Sequence, residues 1–148
     1  MPSNASFTEL QTKWHKVANQ VAAYTYILKS IGRMHAYVTS AEYAVIRAAK
    51  IADRSMHAQG SKEDLARLRG EAMVAIAKAK VVATKVALEV CQDVFQICGT
   101  RATLRSENMD RFWRDVRTLS LHDPVDYKSR LLGEYYLQDR LPTPSILT

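Results

Sequence analysis

Apolar residues recur along this chain at steps of three and four, and strand-like alternation is absent. Ile27, Ile31, Met34, Val38, Ala41, Val45, Ala48 and Ala52 keep that step without a break. Such a seam lies on one face of a helix. The spacing predicts a helix from about Tyr24 to Met56, ending before Gln59-Gly60. Ser61 and Asp64 then have capping-box spacing. A second long helix is expected from Lys62 to Cys98, closed by Gly99 as a left-handed cap. Its seam is Leu68, Ala72, Ala75, Ala79, Val82 and Val86. Small side chains there let helix axes come close together. At about 50 Å long, such a helix has to pack along most of its length, and a bundle provides that.

The remainder reads as shorter pieces. Ser6 with Glu9 marks the start of an N-terminal helix near Phe7, with Leu10, Trp14, Val17 and Val21 on one stripe. Thr100 to Arg105 reads as a connector, and Ser106 as the N-cap of a short helix from Glu107 to about Val116. Thr118 to Leu121 reads as a turn. Asp123 and Pro124 suit the N-cap and first position of a last helix that runs to about Leu137. The expected fold class is therefore all-α, an up-and-down helical bundle. One domain is expected over residues 1–148, with residues 1–25 as an added N-terminal helix and 139–148 as an extended tail.

Charge and composition exclude several classes. The net charge is +6, but it is spread along the chain. No basic run carries interleaved aromatics, so a nucleic-acid partner is not expected. No apolar run approaches the roughly 20 residues of a membrane span, and the first residues lack a signal pattern. A soluble, cytoplasmic protein is expected. Cys91 and Cys98 are seven apart on one helix, about 10 Å along its axis, too far to bridge. They read as buried free thiols of a reducing compartment. His15, His35, His57 and His122 are scattered, so no metal site is expected.

The candidate chemistry gathers between Asp110 and Tyr127. Arg111, Arg114 and Arg117 are three apart along one drifting helix face. Their guanidinium forks suit carboxylate or phosphate, and Asp110 and Asp115 can pair with some of them. His122 is the natural acid or base near neutrality. Asp123 adjoins it, with N-capping as its alternative role. Phe112 and Trp113 are either core or pocket wall. Tyr24, Tyr26, Tyr37 and Tyr43 are expected mostly in the core, and Met34 and His35 near the first seam.

The run Arg111-Phe-Trp-Arg-Asp-Val-Arg-Thr118, followed by His122-Asp-Pro124, resembles the closing segment of the acyl-CoA dehydrogenase-like flavoproteins, especially their flavin monooxygenase branch. The likeness extends over about residues 26–142, with Phe95-Gln-Ile-Cys-Gly-Thr100 as a second similar motif. It implies that Gln96, Gly99 and Thr100, followed by Arg101, form a corner that contacts a flavin held largely by a neighbouring subunit. It implies that His122 lies beside the flavin ring. Asp123 stands where the dehydrogenases place the glutamate that abstracts the substrate's α-proton, and Pro124 replaces their glycine. It also implies self-association, as a dimer or tetramer.

Members of that family carry an N-terminal helical domain and a β-domain ahead of this segment, and 148 residues do not hold them. The leading expectation is therefore a flavin-independent enzyme with no cofactor. It would use His122, Arg117 and Asp123 on a hydrophobic small molecule bearing a carbonyl or carboxylate, with Gln96, Gly99, Thr100, Arg101, Trp113, Arg114 and His35 as ligand contacts. Isomerisation, dehydration or cyclisation, including a pericyclic closure in secondary metabolism, needs orientation and polarisation without an electron carrier. The alternatives are a subunit of a split flavin-dependent oxidoreductase, with FAD bound once a partner chain completes the site, and a non-catalytic oligomerisation module.

Overall fold

The computed structural model describes residues 25–143. These form helix α1 (Thr25–His57), helix α2 (Lys62–Cys98), a 3-10 turn (Thr100–Thr103), helix α3 (Asp110–His122) and helix α4 (Val125–Gln138). The described residues are all-α, as the periodicity implies. The expected helix near Phe7, with Leu10, Trp14, Val17 and Val21, lies outside them. Internal contacts divide the chain into two units, Met1–His35 and Ala36–Thr148. In the first unit, the start of α1 buries Ile27, and the Ser30 hydroxyl donates to the Tyr26 carbonyl at 3.0 Å. The second unit holds all the residues considered below except Tyr26 and His35.

α2 is the element on which α3, α4 and the 3-10 turn pack. Its alanines are the strongest helix formers available. Its start is set by Ser61, whose hydroxyl accepts from the Asp64 amide at 3.1 Å and donates to the Asp64 carboxylate at 2.8 Å. It ends at Gly99, whose amide donates to the Phe95 carbonyl at 3.0 Å. Gly99 has φ 67° and ψ −167°, an extended mirror-image conformation open essentially to glycine alone. It is therefore not the left-handed helical cap that was expected.

Of the expected seam, Ala72 and Ala79 are buried, Leu68, Ala75 and Val86 are half-buried, and Val82 is exposed. A second stripe, Gly70, Val74 and Ala77, is buried as well. The two stripes are offset by two residues, about 200° around the helix, so α2 is covered on two opposite faces. The second face carries the core: Val74 and Ala77 meet Leu131 of α4, with Leu132, Tyr135 and Leu141 around them. Ala77 is 1% exposed. The Lys78 ammonium lies 5.8 Å from the Tyr135 ring centre.

Beyond α2 the boundaries differ from expectation. The expected helix from Glu107 to Val116 starts at Asp110 and runs to His122. The Glu107 amide is spent on a turn to the Leu104 carbonyl at 3.0 Å, and Asn108 has φ 48°. Both prevent Ser106 from capping a helix. The expected turn at Thr118–Leu121 is helical instead, and its hydroxyls are accommodated by bonding back onto helix carbonyls. Thr118 donates to the Arg114 carbonyl at 2.9 Å and Ser120 to the Arg117 carbonyl at 2.7 Å. α4 begins after Pro124 and ends with Asp139 in the left-handed region.

The core is small. Among the described residues, no large side chain is fully buried. Tyr26, Tyr37 and Tyr43, expected mostly in the core, are exposed, Tyr43 at 70%. Cys91 and Cys98 are free and half-buried. Burial raises both thiol pKa values, that of Cys98 from 9.0 to about 11.

Candidate functional site

Two corners of the second unit carry the expected site residues. The first is the end of α2. Gln96, Gly99, Thr100 and Arg101 are all exposed there. A Cβ built on Gly99 would meet nothing within 4 Å, so its backbone is open to approach. The following turn is held by the Thr103 hydroxyl, which donates to the Thr100 carbonyl at 2.7 Å, and by buried Ala102.

The second corner is the junction of α3 and α4, at His122, Asp123 and Pro124. His122 is the last residue of α3 and is exposed. Asp123 was expected to cap α4 and does not: Pro124 occupies the cap position, with no side-chain bond. Instead the Asp123 carboxylate faces two lysines. The Lys128 ammonium lies 3.2 Å from one oxygen, and the Lys80 ammonium 4.0 Å from the other. The physical reason is competition. Two cations from neighbouring helices bind the carboxylate more strongly than a single cap amide.

Lys80 and Lys128 escaped the sequence reading, although a signal was present. Lys128 falls at helical spacing with Leu131, Leu132 and Tyr135. A lysine on an apolar stripe, five residues after an aspartate, asks for a buried partner.

The arginine row is less uniform than its spacing. Arg114 pairs with Asp110 at 3.3 Å. The Arg111 guanidinium lies 4.7 Å from the centre of its neighbour's ring, Phe112. Arg117 is exposed, and at five residues from His122 it is turned about 140° away around α3. Phe112 is half-buried and Trp113 is 40% exposed, so Trp113 is surface rather than core. His35 is exposed and lies in the first unit.

The structure keeps the two corners apart. Lys80 donates to the Leu119 carbonyl at 3.1 Å, which places the end of α3 beside the middle of α2. Gln96 lies sixteen residues further along α2, about 24 Å by the helical rise. Among the described residues, no group of His, Cys, Asp and Glu could hold a metal ion. No described helix is long and apolar enough to cross a membrane.

Fold and motifs together define a class. The acyl-CoA dehydrogenase C-terminal domain matches residues 4–127, and the chain belongs to that family. A probable FMNH2-dependent monooxygenase, SfnC, of Pseudomonas putida is 40% identical over 122 residues, which are 81% of this chain and 30% of the relative. A dibenzothiophene monooxygenase of Mycolicibacterium goodii is 38% identical over 80% of this chain and 28% of its own length. Among solved structures, FMN-bound TdsC from Paenibacillus sp. A11-2 superposes with a TM-score of 0.75 at 36% identity, covering 84% of this chain and 31% of that one. The methanesulfinate monooxygenase MsuC from Pseudomonas fluorescens gives 0.76 at 36% identity, covering 84% and 32%. This chain therefore spans about 30% of the length of these relatives.

These relatives overturn the leading functional expectation. A flavin-independent cyclase, isomerase or lyase without a cofactor does not fit a chain whose relatives are monooxygenases named for FMNH2 or solved with FMN. That expectation rested on the absence of the upstream domains. The matched residues are a part of the relatives' fold, and a part carries no evidence against the chemistry of the whole. FMN, rather than FAD, is the flavin in the names of TdsC and SfnC.

Proposed function

We propose that this chain supplies the C-terminal helical part of a reduced-FMN-dependent monooxygenase acting on a small organosulfur compound. The observation that carries the reading is the likeness to FMN-bound TdsC over 84% of the chain. Dibenzothiophene and methanesulfinate in the relatives' names support the substrate class. The remaining flavin-binding elements come from polypeptide beyond these residues.

The donor set fits FMN. At the end of α2, the open Gly99 backbone, the Thr100 hydroxyl, the Gln96 amide and the Arg101 guanidinium are exposed together. Arginine forks and hydroxyls suit a phosphate or ribityl chain. At the other corner, exposed His122 is the candidate general acid or base, with Asp123 beside it. Trp113, Arg114 and Arg117 on α3 supply ring surface and positive charge for an apolar or anionic substrate. Reduced FMN supplies the electrons that activate dioxygen, while these side chains bind, orient and move protons.

One flavin mononucleotide touching both corners would have to lie stretched along α2. A homo-oligomer removes the constraint, because each corner then serves the flavin of a different copy. The test is to join the chain to polypeptide carrying the upstream flavoprotein domains and titrate the assembly with FMN. Bound flavin is read by visible absorption, and oxygenation is assayed with dibenzothiophene. Flavin binding, loss of turnover in His122→Ala and weaker binding in Arg101→Ala, about tenfold for one charge-assisted contact, are expected. No flavin binding by the wild-type assembly would overturn the proposal.

A further inference from the structure

Three helices of the second unit meet at one charged cluster. Lys128 of α4 is 7% exposed, and its ammonium lies 3.2 Å from Asp123 Oδ1. Lys80 of α2 brings its ammonium to 4.0 Å from Asp123 Oδ2 and donates to the Leu119 carbonyl at 3.1 Å. Asp123 is joined by one peptide bond to His122.

Burying a lysine is costly, and an apolar residue at 128 would extend the stripe of Leu131, Leu132 and Tyr135 at no such cost. Stability therefore does not explain the charge. Position does. The last four carbonyls of a helix lack intrahelical partners, and in α3 these begin at Leu119. The residue that follows α3 is extended and makes no backbone cap bond. Left to itself, this end would fray at His122. The Lys80 ammonium gives a hydrogen bond and a positive charge to the negative end of the helix. Lys128 and Lys80 together then pin Asp123 from two sides.

We infer that Lys128 and Lys80 are positioning residues. Through Asp123 and the Leu119 carbonyl they hold the end of α3 so that His122 is presented to flavin and substrate in a single arrangement. The catalytic part of this inference rests on the function proposed above. The structural part does not.

Lys128→Met keeps the length and volume of the side chain and removes its charge. Three readouts apply to the chain alone: helical circular dichroism, the thermal melt, and the His122 imidazole cross-peaks in nitrogen-15 NMR, assigned with His122→Ala. In the FMN-loaded assembly, kcat and KM are measured with dibenzothiophene. Retained helicity and melting, displaced or broadened His122 cross-peaks, and a kcat at least tenfold lower with KM within twofold are expected. Combining Lys128→Met with Asp123→Asn should lower kcat no further than the worse single change, because both cut the same link. If Lys128→Met fails to fold, Lys80→Met carries the same readouts from a less buried position. Unchanged His122 cross-peaks in a folded variant, or fully additive losses, would overturn the inference. A wild-type assembly that binds no flavin would refute the proposed function, and the cross-peaks of the chain alone would still decide the positioning role.

Discussion

Gly70 of α2 and Leu141 of the C-terminal segment approach more closely than two side chains allow. A Cβ at Gly70 would stand 2.9 Å from the Leu141 Cβ and 3.3 Å from the Pro142 carbonyl oxygen. The segment after α4 thus crosses back over α2 at the one position without a side chain, and Leu141 seals the edge of the core cluster.

Gly70→Ala should therefore undock this segment. Alanine raises the helix propensity of α2 by about 1 kcal/mol, while overpacking costs about 1–3 kcal/mol. The expected outcome is a melting temperature within a few degrees of wild type, with faster amide exchange confined to residues 139–143. Unchanged exchange there would show that the crossing contributes nothing.

Leu131 is the only large side chain in the buried cluster with Val74 and Ala77. Its truncation leaves a cavity between α2 and α4, bordered by Leu132, Tyr135 and Leu141. Leu131→Ala should cost about 2–4 kcal/mol, read as a lower midpoint in urea at similar slope. A loss below about 1 kcal/mol would mean that the two helices close the gap.

The cysteines give a pH dependence of definite sign. Burial raises the Cys98 thiol to about 11 and the Cys91 thiol in the same direction. Below pH 9 both folded and unfolded chains keep the protons. Between about 9 and 11 the unfolded chain ionises first, so stability falls as pH rises through that window. Alkylation with iodoacetamide at pH 8.5, within roughly half a unit of the free-cysteine value, should be slow in the folded chain and fast in urea. Equal rates would mean that neither thiol is shielded.

The two corners were legible to different degrees. Ser61, Lys62 and Cys98 bound α2 as expected, because caps and helix stops act within four residues. The expectation around Ser106 failed because Asn108 and the Leu104–Glu107 turn compete for the same backbone, and local spacing does not rank such competitors. Asp123 was seen as a cap because its neighbours Pro124 and Val125 are adjacent in sequence. Lys80, its other cation, lies 43 residues away, and no local pattern connects them.

Helical periodicity and the Ser61 cap are properties of short stretches, so the chain alone established an all-α bundle and the length of α2. Three things came only with the packed structure: that α2 is buried on two opposite faces, that Asp123 is shared by lysines from two helices, and that Gln96 and His122 stand at different levels of α2. Each depends on where distant residues meet. That is set by the packing of helices over a shared core, which no window of sequence contains.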